Sequence, residues 1–223
     1  MAFIAAVAAI AAIAAVVPLI THNRFERHHM SQLIIVAFAG STRRGSLNRA
    51  ALSLAEAGAR QAGAEVQAVD LRDYPMPLYD AEFHQANGVP DSVRQLREVL
   101  RSAAGMLVAS PEYNSSVTPL LKNTIDWLSQ SVADGVGAGG GRMPFEGKIV
   151  GLLGASAGGF GAIRALPHVS FIFSNLGAIV LPVVAVPAAD KLFNADGSVA
   201  NERQAKGLEE LGARVAKFAA ATR

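Results

Sequence analysis

From residue 33 onward the chain alternates short apolar runs with stretches whose apolar residues recur at helical spacing, and few folds satisfy that alternation. Residues 33–39, 105–109 and 149–154 are continuously apolar rather than alternating, which describes strands buried on both faces. With 64–69 and 178–181 they make five expected strands. Helices are expected over 48–62, with Leu47, Ala51 and Leu54 on one face and Gly63 as a stop. Another is expected over 91–102, with Val93, Leu96 and Leu100 inward. The next has Thr118 as cap, Pro119 in first position and Leu121, Ile125 and Leu128 as its stripe. The last two are expected over 161–176 and 201–221. Residues 70–80, with two prolines, and the glycine-rich 134–147 are loops. Five β-α units of this kind call for a parallel sheet covered by helices on both faces, with right-handed crossovers. Such sheets bind ligands past the carboxyl ends of their strands.

Composition excludes several functions. The formal charge is +2, and without residues 1–29 the balance is 18 basic against 17 acidic, or +1. So weak a field gives no reason to expect nucleic acid. There is no cysteine, which removes disulfides, thiolate nucleophiles and cysteine metal sites. The five histidines show no HExxH or similar ligand spacing, so no metal is expected.

Residues 1–20 are uncharged, with larger apolar residues at every third position from Ile4 to Leu19. That period drifts around a helix and makes no fixed face. Three readings stand. The stretch is a marginal membrane anchor, interrupted by Pro18 and followed by Arg24 and Arg27. It is a signal peptide that lacks the positively charged start. Or translation begins at Met30, and 1–29 is an extension from a mis-set start. The chain thus divides into the 1–29 extension and a folded domain over 30–223. Membrane association is not expected unless residues 1–20 are an anchor.

Three loops follow strands one, three and four. GSTRRGSLN at 40–48 joins a strand to a helix start and offers hydroxyls, an amide, backbone N–H groups and a guanidinium from Arg43 or Arg44. A helix start already favours an anion, so this is a phosphate-pocket candidate, and a terminal monophosphate suits it best. It is neither GxxxxGK[ST] nor GxGxxG. PEYNSS at 111–116 can turn backbone donors edge-on to a flat heterocycle. GASAGGFGAIR at 154–164 lets a planar ring approach the backbone at Gly158 and Gly159, with Ser156 at hand. Each loop taken alone is also an ordinary polar turn.

GSTRRGSLN, PEYNSSVTPLLKNTIDWLS and GASAGGFGAIRALPH together resemble the NADPH-dependent FMN reductase family, nearest its bacterial chromate/quinone reductase branch. The likeness covers about residues 33–185. It implies a flavodoxin-like five-stranded parallel sheet in the order 2-1-3-4-5. It implies Ser41, Arg43, Ser46, Leu47 and Asn48 around the FMN phosphate end. It places Pro111, Glu112, Tyr113, Asn114 and Ser115 along the ribityl chain and ring, and Ser156, Gly158 and Gly159 on the ring's other side. No residue is implied as acid, base or nucleophile. Two departures from the family pattern stand out: Thr118-Pro119 where Pro-Gly is frequent, and a long 134–147 loop.

The resemblance implies a cytoplasmic enzyme in which NADPH or NADH and then a quinone, azo dye or chromate exchange hydride at bound FMN by a ping-pong route. It also implies a homodimer or homotetramer, and Trp127 is open to two readings, subunit interface or core. Alternatives are a reductase that releases reduced flavin to a monooxygenase, a flavodoxin-type electron carrier, and a redox-silent binding module. The near-neutral charge speaks against the carrier.

Overall fold

A computed structural model describes residues 32–130 and 143–223, so the readings of 1–29 and of most of 134–147 lie outside the described residues. The elements are β1 (Ile34–Ala39), α1 (Leu47–Gln61), β2 (Glu65–Val69), α2 (Ala81–Asn87), α3 (Asp91–Ser102), β3 (Gly105–Ala109), α4 (Pro119–Ser129), β4 (Ile149–Ala155), α5 (Ala165–Asn175), β5 (Ile179–Val180), β6 (Val184–Val186) and α6 (Glu202–Ala221). The sheet order is β2-β1-β3-β4-β5, with β6 also beside β4, and all pairings are parallel. This is the expected flavodoxin-like order.

The apolar strands bury both faces. Ile35, Ala37, Leu107, Ala109 and Leu153 point to the side covered by α1 and α6. Val36, Phe38, Met106, Val108, Val150 and Leu152 point to the side covered by α3, α4 and α5. On the first side, small residues let α1 and α6 approach closely. A Cβ placed on Gly58 would land on the Glu209 carbonyl, and one placed on Gly212 would land on that of Ala55. The two helices therefore pack backbone against backbone.

Four details add to or sharpen the sequence reading. The fifth strand, expected over 178–181, is β5, and an unanticipated β6 follows it, kept separate by Pro182, which cannot donate to a ladder. Helix α5 begins at Ala165 rather than 161, because Gly161 (φ 57°) and Ala162 (φ 64°) are left-handed. Helix α2 was not anticipated; Asp80 caps its start through the Phe83 N–H, and Gly88 closes it. Trp127 is fully buried, its Nε1–H donating to the Pro77 carbonyl at 2.8 Å, with the Tyr79 ring edge-on at 5.0 Å. It is core, and it lends no support to an oligomer.

Backbone-to-backbone packing of α1 and α6 makes a sharp expectation. Gly212→Ala should lower the unfolding free energy by about 1–3 kcal/mol through overpacking. Gly207→Ala, on the same helix with nothing within 4 Å of the new methyl, should raise it by about 0.5–1 kcal/mol. Urea unfolding of the two variants measures the contrast.

Candidate functional site

The three polar loops leave β1, β3 and β4 at the carboxyl end of the sheet, and side chains tie them together in pairs. Asn48 is buried, and its amide grips the backbone of Ala155: Nδ2 donates to the carbonyl at 2.9 Å, and Oδ1 accepts from the N–H at 3.0 Å. This joins the start of α1 to the end of β4. Thr118 accepts the Leu121 N–H as the α4 cap and donates to the Gly40 carbonyl at 3.0 Å, joining the first loop to the second. Thr118-Pro119 thus serves as cap and first residue, as the sequence suggested.

Glu112 joins the second loop to the third. Its carboxylate, 7% exposed, accepts from the N–H groups of Arg164 and Ala165 at 3.0 and 3.2 Å and from Arg164 Nε at 2.6 Å. It caps α5, where the helix dipole favours a negative charge. Desolvation works against ionisation, yet the guanidinium and the two N–H groups prevail and hold the carboxyl below its usual range. Ser116 Oγ and His168 Nδ1, 2.9 Å apart, add a further tie, from the second loop to α5.

Within each loop the geometry is specific. In the first, Ser41 and Ser46 are buried, and Ser46 caps α1 by accepting the Arg49 N–H at 3.4 Å. Leu47 is half-buried, and Arg43 and Arg44 are exposed, with an Arg43 Nη2 bond to the Gly45 carbonyl. The other N–H groups of the first helical turn have no intrahelical acceptor. In the second, Pro111 is buried while Tyr113, Asn114 and Ser115 are exposed. Tyr113 and Ser116 exchange two backbone hydrogen bonds, with Asn114 (φ 50°) and Ser115 (φ 64°) between them, as in a type I′ turn. Left-handed residues other than glycine cluster where structure holds them for a purpose.

In the third loop Ser156 curls the chain on itself, donating to the Gly158 carbonyl and accepting the Gly161 N–H. A methyl at Gly159 would meet nothing within 4 Å, so the floor is bare. Residues 186–189, which the sequence reading did not single out, brace this loop. Ala188 (φ 48°) donates to the Gly158 carbonyl and Ala189 to that of Ser156. Pro187 was the visible hint, but the brace itself is made by backbone.

Geometry thus brings all three loops together and divides their side chains into two roles. Asn48 and Glu112 engage neighbouring loops, and Ser156 braces its own. Ser41, Ser46, the arginines, and the exposed backbone of 113–115 and 157–159 remain around the opening. A donor-rich helix start at one end and an open glycine floor at the other suit a phosphorylated planar cofactor such as FMN. A polar hollow of about 350 Å³ at the opposite, amino end of the strands is a different matter. The Lys148 ammonium there is engaged by the carbonyls of Ala103 and Arg101, and burial pushes its pKa down.

The model of the NADPH-dependent FMN reductase family matches residues 33–191. The chain belongs to that family. It is 34% identical over 179 residues to an NAD(P)H-dependent FMN reductase of Pseudomonas aeruginosa, covering 79% of this chain and 89% of that one. It is 38% identical over 151 residues to a quinone reductase of Escherichia coli, covering 67% and 74%. Among solved structures, a flavoenzyme NAD(P)H:(acceptor) oxidoreductase of Paracoccus denitrificans superposes with TM-score 0.69 at 25% identity, covering 84% and 97%. Family membership carries FMN as cofactor and NAD(P)H as electron donor.

Beside the site, Asp70 at the end of β2 binds Arg72 through its Nε and Nη2 at 3.0 and 2.5 Å and Arg49 of α1 at 3.3 Å. Hydrogen bonding to Arg72, above all, lowers its carboxyl pKa to about 2. An unfolded aspartate titrates near 3.9, so Asp70 stabilises the fold above about pH 4 and loses that contribution as pH falls toward 2. The stability gap between wild type and Asp70→Asn, measured by urea unfolding, should be largest near neutrality and shrink across that acid window.

Proposed function

We propose that the chain is an NAD(P)H-dependent, FMN-containing oxidoreductase that reduces quinones or similar small acceptors. The observation that carries this reading is the convergence of three cross-tied strand-end loops on one opening, with a helix start at one end and bare glycine floor at the other. Bound FMN would supply a carrier that accepts hydride from the nicotinamide and passes it to the acceptor.

The chain's own residues bind and orient. Ser41, Ser46, Arg43 and the first-turn N–H groups of Leu47 and Asn48 would receive the phosphate, a charge-assisted site at a positive helix end. The left-handed Asn114 and Ser115 would turn main-chain N–H groups toward the ring edge, where charge grows on reduction, and fixed donors of this kind stabilise such charge. Pro111 would stiffen the approach to that turn, and Glu112 and Tyr113 would wall it. Gly158 and Gly159 would lie against the ring, with Ser156 holding their curl. No side chain is required as acid or base.

The opening would take donor and acceptor in turn, which gives ping-pong kinetics. A homodimer or homotetramer, as the family resemblance implies, is part of the proposal. A cytoplasmic setting follows from the donor. Among the described residues no helix is long and apolar enough to cross a membrane. The proposal further assigns hydride exchange, rather than flavin release or one-electron carriage, to this chain. A near-neutral charge supports that choice over the carrier.

Two experiments test the proposal. Freshly purified protein should show flavin absorbance that bleaches with NADPH under anaerobic conditions and returns with menadione, with parallel-line steady-state kinetics. Colourless protein with no menadione reductase activity even after FMN is added would refute it. Arg43→Ala should weaken FMN binding by about 1.5–3 kcal/mol, roughly ten- to over a hundredfold. Fluorescence titration of flavin-stripped protein measures this, and an unchanged affinity removes Arg43 from the phosphate.

A further inference from the structure

Phe160 sits directly after the bare Gly158-Gly159 floor and is 62% exposed, an unusual position for a large aromatic beside a site. It is not left free. The Arg164 guanidinium lies over one face of its ring, 4.7 Å from the centroid. Arg164 is in turn fixed by Glu112, through Nε at 2.6 Å and through an ion pair from Nη2. The Ile163 N–H also closes a turn onto the Phe160 carbonyl at 3.0 Å. With Arg164 over its ring, the residue still stays largely exposed.

Holding an exposed ring in place has a physical meaning. A cation over an aromatic face is an attractive contact, and a side chain already immobilised gives up little entropy when a ligand stacks on it. Flat rings stack best on flat rings, and a fused pair offers more area than a single ring. Tyr113, 55% exposed on the facing loop, is the other aromatic at this rim. Glu112 and Arg164 therefore act as positioning residues, and Phe160 as the surface that they present.

We propose that Phe160, held by the Arg164–Glu112 pair, is a specificity-determining residue that favours flat, fused-ring carbonyl acceptors such as naphthoquinones over single-ring or inorganic ones. The inference rests on the proposed quinone reductase activity and deepens it by naming the acceptor class.

The test measures binding apart from turnover. Oxidised, FMN-loaded protein, without nucleotide, is titrated with menadione and with benzoquinone in a calorimeter. Phe160→Ala should weaken menadione binding roughly two- to tenfold, the range a stacked aromatic contact provides, and benzoquinone binding by less. Phe160→Trp should restore menadione affinity. The ratio of kcat/KM for menadione to that for ferricyanide should fall in Phe160→Ala by the same factor. Equal losses with both quinones, no loss with either, or failure of tryptophan to restore affinity overturns the inference. So does a change of oligomeric state in the variant by light scattering, which would assign Phe160 to a subunit contact. Wild-type protein that holds FMN and turns over menadione while these outcomes fail leaves the flavoenzyme reading intact. Wild-type protein that holds no FMN brings down both.

Discussion

The Asn48 amide closes a two-bond ring with the backbone of Ala155, and the rest of the site depends on that closure. A β-α loop is ordinarily the softest part of a parallel fold. Here the loop after β1 cannot drift from the end of β4 without stripping two buried backbone groups of their partners, each worth about 1–3 kcal/mol to leave unsatisfied. Thr118 and Glu112 make the other two sides of a triangle. Each side is a contact between residues far apart in the chain, so the opening is defined by tertiary structure and not by any one loop.

The same economy of motion runs through the backbone. Asn114, Ser115, Ala162 and Ala188 are left-handed without being glycine. Conformations of this kind persist where surrounding bonds over-determine them. The Tyr113–Ser116 pair encloses the first two, and bonds from 186–189 to 156–158 hold the third loop. A cradle fixed in advance need not be ordered when a ligand arrives, and the affinity is not reduced by that cost.

Much of this was legible in the sequence, and the reasons are local. Strands β1, β3 and β4 announce themselves because both of their faces are buried and both must be apolar. Thr118 and Pro119 mark a helix start because capping is a matter of three or four neighbouring residues. The three loops were legible as polar turns after those strands. What was illegible depends on distant partners. Trp127 stayed open between interface and core until the Pro77 carbonyl, from a loop 50 residues away, satisfied its indole N–H. Asn48 and Glu112 are polar residues in ligand-binding loops, and nothing nearby reveals that their side chains reach across to residues 107 and 52 positions on. Helix α2 has no buried residue, so periodicity had nothing to register.

The interrupted β5–β6 margin has a consequence for the life of the protein in a crowded cell. A sheet that is open on one side is a template on which another chain can zip itself, and a composition 51% hydrophobic would reward such growth. With segments of only two and three residues separated by Pro182, no extended row of free amides is on offer there. The opposite margin, β2, carries the exposed Glu65 and Gln67 on one face, and charged or polar side chains on an edge strand disfavour pairing. The fold thereby keeps a strongly apolar sheet from propagating into aggregates, with one imino acid and two polar side chains as its guards.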